Sequence, residues 1–205
     1  MLDDLRHSDF PAYKMYIFLN AWSIDAGLKS TLKRLQKNGS VFVWFHAPGI
    51  ITDGELNVDN VGDLTGIRIK RLTDTAAMVQ YSPQSDIPFL SQIKPMVSGL
   101  SGINTLYYPE GGESITFGSL GSYPSGAFRD LGTWKSIYFS APAMTPELFR
   151  KIARYAGCHI YSQNSHDMIY AGSGMIGIHT AVKGLKKIDL PAEYILKDLI
   201  SGEII

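Results

Sequence analysis

Two runs of branched and aromatic residues, Lys14-Met-Tyr-Ile-Phe-Leu-Asn20 and Ser40-Val-Phe-Val-Trp-Phe-His46, restrict the fold more than any other feature of this chain. Neither alternates polar with apolar, so both suit strands covered on two faces, as in a parallel sheet. Between them, residues 24–37 carry Leu28, Leu32 and Leu35 at helical spacing, with Lys29, Lys33, Arg34 and Lys37 on the outer face. Ser23 or Asp25 is placed to cap that helix and Asn38-Gly39 to end it. Strand, helix and strand within about 30 residues make a βαβ unit, with parallel strands and a right-handed crossover.

The rest of the chain extends this pattern unevenly. Asn60 to Leu64 reads as a short helix closed by Gly66. In the stretch 67–133, Ile67-Arg-Ile-Lys-Arg71 and Ala77-Met-Val-Gln-Tyr81 read as strands, and Pro83, Pro88 and Pro95 keep helices short. Gly118, Gly121, Pro124 and Gly126 among β-forming residues predict an antiparallel hairpin over 114–130. Trp134 to Ser140 is a further strand. Thr145 before Pro146-Glu147 then starts a helix that runs to about Tyr155 and ends near Gly157. His159-Ile-Tyr161 begins another strand. Met168–Tyr170, Met175–His179, Lys186–Leu190 and Ile195–Leu199 alternate with turns as a small β-meander. The expected division is an α/β domain over 1–162 and a C-terminal antiparallel β segment over 163–205, with no internal repeat.

Composition bounds the function classes. The 205 residues are 45% hydrophobic, enough for one good core. Lys plus Arg and Asp plus Glu number 19 each, a balance that argues against broad binding to nucleic acid or an anionic membrane. Cys158 is the single cysteine, which excludes an intrachain disulfide and a Cys-rich zinc site. The compartment stays open, with a slight lean to the cytoplasm. No run reaches the ~18 apolar residues needed to span a bilayer. Met1-Leu-Asp-Asp-Leu-Arg6 is charged and helix-like, without a signal-peptide core.

Candidate chemistry is sparse. Glu110-Gly-Gly-Glu113 offers the carboxylate pair a glycosidase needs, and it reads equally well as an acidic turn between strands. Gly172-Ser-Gly-Met-Ile-Gly177 matches a dinucleotide fingerprint, but Ile-His-Thr-Ala-Val follows it where the mechanism needs a helix, so a hairpin fits better. His159, His166 and His179 lack metal-ligand spacing. Ser165-His-Asp167 reads as a polar turn, since neighbours in sequence point in different directions. Asn20 and His46 end the two parallel strands, where open α/β sheets bind ligands, and Trp22 and Pro48 lie close by in sequence. Those four residues form the candidate ligand site, with Trp22 suited to stacking on a sugar. The residues point to no cofactor and no metal.

Phe10 to Ala21, the helix, and Lys37-Asn-Gly-Ser-Val-Phe-Val-Trp-Phe-His-Ala-Pro-Gly49 resemble the glutamine-amidotransferase-like domain of family 42-type β-galactosidases, often called the trimerisation domain. Leu64-Thr-Gly-Ile67 fits the same pattern. Phe117 to Tyr123 and Gly132 to Tyr138 resemble its closing hairpin and final strand, and Ala156 to Glu203 is similar to the C-terminal β segment of large glycosidase-like proteins. The resemblance implies a flavodoxin-like or class I amidotransferase-like parallel sheet. It also implies a non-catalytic accessory or oligomerisation role beside a glycoside hydrolase barrel or in a homo-oligomer, with carbohydrate binding as the alternative. Two departures stand out. Family domains open with a further strand and helix, so this chain reads as short by one βα unit, or as a fragment. Cys158, in Tyr-Ala-Gly-Cys-His-Ile, follows a helix and precedes a strand, which is the wrong setting for an amidotransferase nucleophile.

Overall fold

The computed structural model describes residues 2–7, 9–72, 78–100, 105–164 and 166–204. The chain divides into two compact units, Met1–Cys158 and His159–Ile205.

In the first unit a 3-10 turn, Leu2–Arg6, precedes β1 (Met15–Phe18), α1 (Ala26–Leu35) and β2 (Ser40–Phe45). The Asp25 carboxylate caps α1 by accepting the Leu28 N–H at 2.9 Å. The helix buries Leu28, Leu32 and Leu35 against the sheet. Each such leucine contributes about 1.5–3 kcal/mol, so the apolar stripe, more than intrinsic propensity, holds a helix of this length. β1 and β2 pair in parallel, Met15 opposite Val41 and Phe18 opposite Trp44.

A ribbon of β3 (Ile51–Thr52) and β4 (Glu55–Leu56) leads to α2 (Asp59–Thr65), which Gly66 closes in the left-handed conformation. Then come β5 (Ile69–Arg71), β6 (Met78–Tyr81), β7 (Met96–Gly99), β8 (Tyr107–Pro109), β9 (Ile115–Phe117), β10 (Ser119–Leu120), β11 (Gly126–Asp130), β12 (Trp134–Phe139) and α3 (Pro146–Tyr155). Ala77, the first residue of one expected strand, lies outside the described residues. Among the described residues the central sheet runs β1-β2-β12-β11-β9. It is parallel from β1 to β12 and antiparallel from β12 to β9. Satellite pairs β5-β8 and β10-β6-β7 are antiparallel. The fold is therefore mixed α/β, with a mainly parallel centre and small antiparallel sheets.

Packing explains the order. β2 is buried along its whole length: Val41, Val43 and Phe45 face one apolar cluster, and Phe42 and Trp44 face the other. Trp44 stacks on Phe18 at 4.5 Å between ring centroids and donates its Nε1–H to Ser136 Oγ at 3.1 Å. The expected hairpin over 114–130 is the β9–β11 pair, where a Cβ on Gly126 would sit 2.2 Å from the Phe117 ring, so only glycine lets the two strands close. β1 departs from the expectation of burial on both faces. Among the described residues it is an edge strand, with Tyr16 and Phe18 buried but Ile17 37% exposed.

In the second unit β13 (Met168–Gly172) and β14 (Met175–His179) form one hairpin, turned by Ser173 and Gly174 at positive φ. Lys186–Leu190 and His159–Tyr161, both expected as strands, lie outside any ladder; instead Asp189 N donates to Tyr161 O at 2.8 Å. Of the expected strand Ile195–Leu199, only Lys197 makes a bridge, to Ile204. The meander is thus reduced to a hairpin and bends, because these stretches have no neighbouring strand to receive their backbone bonds.

Candidate functional site

The loops that follow β1 and β2 are stitched together at the carboxyl end of the parallel strands. Gly49 N donates to Ala21 O at 2.7 Å, Ile51 N to Trp22 O at 2.9 Å, and Ile24 N to Ile51 O at 2.9 Å. This stitching brings two of the four sequence-derived residues together. The Trp22 and His46 rings lie 6.2 Å apart at a tilt of 56°, with Trp22 half open to solvent. Pro48 is buried. Asn20 is exposed and borders a separate groove beside β1, with Leu19 and Ala21. Among the described residues no hydrogen bond joins Asn20 to His46.

His46 is held from several directions. Its backbone is left-handed, at φ 65. Its N–H donates to Phe139 O at 2.8 Å, and its carbonyl accepts the Tyr138 hydroxyl. Nδ1 lies 3.4 Å from Ser140 O, and Tyr107 meets the imidazole edge-to-face at 5.3 Å. Burial pushes the His46 pKa down, opposed by the Ser140 carbonyl. A neutral ring that gives its Nδ1 proton to that carbonyl leaves Nε2 as an acceptor. The arrangement can therefore receive one hydrogen bond beside the open face of an indole. Burial also raises the Tyr107 and Tyr138 hydroxyls, keeping both protonated.

Sequence reasoning missed Tyr107 and Ser140. Ser140 had a readable signal, as the polar end of the third parallel strand. Tyr107 had none, since β8 reaches this point only through long-range pairing with β5.

The remaining candidates sit in structural surroundings. Glu110 is paired with Lys70 at 2.5 Å and Arg68 at 3.7 Å, and Glu113 with Arg129. Gly172 to Gly177 is the β13–β14 hairpin. Ser165 lies outside the described residues. Asp167 accepts from Asn164 Nδ2 at 2.8 Å, Ala181 N at 3.3 Å and Lys186 Nζ at 3.0 Å, and its side chain is 2% exposed. His159 Nε2 lies 2.7 Å from Asp189 O, and His166 N donates to Asn164 Oδ1 at 2.9 Å. Among the described residues no three His, Cys, Asp or Glu side chains converge as metal ligands. Cys158 follows α3, half-buried, and burial raises its thiol pKa. No helix among the described residues is long and apolar enough to cross a membrane.

No sequence family and no curated protein matches the chain. Its fold does match solved structures. One is a β-galactosidase from Bacillus circulans sp. alkalophilus, with a TM-score of 0.59 at 13% identity over 81% of this chain and 26% of that one. A second is a GH42 β-galactosidase from G. stearothermophilus, with a TM-score of 0.58 at 11% identity over 94% of this chain and 29% of that one. A third is the β-galactosidase of the Antarctic haloarchaeon Halorubrum lacusprofundi, with a TM-score of 0.56 at 12% identity over 80% and 25%. The chain thus spans between a quarter and a third of the length of each, and it shares its fold with that part of them.

Proposed function

We propose that this chain is a non-catalytic accessory and oligomerisation domain of a β-galactosidase-like glycoside hydrolase, built on a flavodoxin-like, amidotransferase-like sheet. The observation that carries the reading is the fold shared with about a quarter of several β-galactosidase chains, including a family 42 enzyme. The parallel β1-β2-β12 core supports the amidotransferase-like assignment. The partner is a glycoside hydrolase barrel or further copies of the chain. Sedimentation of the full chain, with a galactoside hydrolysis assay on the same sample, tests this. The reading predicts a self-associating or barrel-binding species that leaves galactosides intact. A monomer that ignores a barrel, or one that hydrolyses galactosides, overturns it.

A second reading rests on the adjacency of Trp22 and His46: carbohydrate binding at the strand ends. An exposed indole stacks on the apolar C–H face of a sugar, and neutral Nε2 accepts one hydroxyl. Titration with galactosides should then perturb tryptophan fluorescence in the native chain and not in Trp22→Ala. Silence at millimolar sugar would remove the reading.

A further inference from the structure

Asn38-Gly39 is the one Asn-Gly pair in the sequence, and the fold sets it at the corner between α1 and the central strand β2. Both residues are exposed and left-handed, at φ 57 and 72, and Ser40 N donates to Lys37 O at 3.1 Å across them. That is a type I′ turn, the geometry Asn-Gly favours. A further bond reaches outside it: Gly39 N donates to Thr133 O at 2.9 Å, in the turn between β11 and β12. That turn is held by Gly132 N on Asp130 Oδ1 at 2.9 Å and by Leu131 N on Trp134 O at 3.0 Å. Gly39 has no side chain to shield its nitrogen, and a Cβ built there meets nothing within 4 Å. A glycine nitrogen next to an asparagine is the backbone nitrogen that reaches the side-chain amide carbon with least crowding.

We propose that Asn38 is a self-modification site, where the chain loses a side-chain amide, and that the Gly39–Thr133 bond gates the reaction. Gly39 N gives its proton to solvent and attacks Asn38 Cγ. The new N–C bond closes a cyclic imide, and the bond from Cγ to the amide nitrogen breaks, releasing ammonia. Water then opens the imide at either carbonyl. Entry at Cγ leaves aspartate, and entry at the main-chain carbonyl leaves isoaspartate. The sum is amide plus water giving carboxylate plus ammonium, with no oxidant and no cofactor. In the closed corner the reaction is blocked, because Thr133 holds the proton of the attacking nitrogen and the Ser40–Lys37 bond fixes the Asn38 backbone. Both bonds must break first, so the rate follows the open population of this corner. Isoaspartate adds a carbon to the main chain ahead of Gly39, so the turn can no longer make both bonds at once. The product therefore weakens the entry to β2, the strand buried along its whole length. Asn20, Asn57 and Asn60 precede Ala, Val and Val, whose side chains crowd the same attack, and serve as internal references.

Incubation of the full chain at mildly alkaline pH, native and in urea, tests it, with peptide mapping by mass spectrometry that separates aspartate from isoaspartate. In urea, amide loss at Asn38 should outrun that at Asn20, Asn57 and Asn60. In the native chain it should proceed on the order of tenfold more slowly or less still, as the closed corner requires. Asp130→Ala frees Gly132 N and loosens the turn that carries Thr133, so it should raise the native rate several-fold and leave the rate in urea unchanged. Asp130→Asn keeps an oxygen acceptor and should stay near the native rate. Should Asp130→Ala unfold the chain, the exchange rate of the Gly39 amide in the native protein gives the same answer, since modification should track it as temperature is raised. The separated isoaspartate form should unfold at lower denaturant than the parent. A native rate equal to the rate in urea, or a folded Asp130→Ala chain without effect, overturns the gate. Asn38 modified in urea no faster than Asn57 overturns the site.

Discussion

β2 and β14 are similar strings, Ser-Val-Phe-Val-Trp-Phe and Met-Ile-Gly-Ile-His, yet they reach opposite ends. Every residue of β2 is buried between β1 and β12, with an apolar cluster on each face. Every residue of β14 is exposed, and among the described residues β13 is its only neighbour in the ladder. Apolar content alone does not make a core. Residues far apart in sequence must also arrive on both faces, and the first unit supplies them from α1, α3 and the β6–β10 region. The second unit buries no apolar residue among those described and is organised by a polar centre, the Asp167 carboxylate with Asn164, Ala181 and Lys186. A two-stranded hairpin is marginal in water, so the two units should differ widely in local stability.

The largest expected effect lies in the first unit. Trp44→Ala removes the ring stacked on Phe18 and Phe42 and orphans Ser136, and should cost about 3–5 kcal/mol in a denaturant titration. Gly126→Ala should cost about 1–3 kcal/mol, because the new methyl must displace the buried Phe117 ring. A neutral outcome there would show that the sheet gives more readily than its packing indicates. In the second unit, Asp167→Ala strips Lys186 of its partner and should cost about 1–3 kcal/mol of local stability. Limited proteolysis within 159–204 should quicken while the main melting transition stays put. A shifted main transition would erase the contrast between the units.

Smaller effects come from titration. The His46 pKa is held below its ordinary 6.5 in the fold, so below that pH the unfolded chain binds the extra proton and the fold loses stability. The loss begins as pH falls through 6.5 and is complete below the folded value. His46→Asn, which tolerates the same left-handed backbone, should flatten stability measured from neutral to mildly acidic pH. Smallest is the exposed Arg6–Asp25 pair, which holds the Asp25 carboxyl near about 2, below its usual 3.8. Its contribution is present above 3.8 and fades as pH falls through about 2. Arg6→Ala should weaken that acid dependence, leaving the share held by the Leu28 N–H, with scarcely any change at neutral pH, and salt should act in the same direction.

The same comparison explains what the sequence made legible. β1, α1, β2, β12 and α3 announce themselves by local signals: apolar runs, an Asp25 cap, and the Thr145-Pro146 start whose Oγ1 accepts the Leu148 N–H. The parallel pairing of β1 with β2 followed from the βαβ unit. The satellite pairs β5–β8 and β6–β7 arise from non-local pairing that no window of residues encodes. Lys186–Leu190 carries a strand's composition but lacks a strand to pair with. At the candidate site, the adjacency of Trp22 and His46 was legible because both follow strand ends, whereas nothing local in the sequence tells that Asn20 borders a groove beside β1.

Residue-resolved amide exchange of the full chain, dilute and concentrated, tests the account most directly. The β2 amides should exchange only with global unfolding, and those of Met168–His179 should exchange far faster at both concentrations. Equal protection of β2 and the hairpin would contradict the contrast between the units.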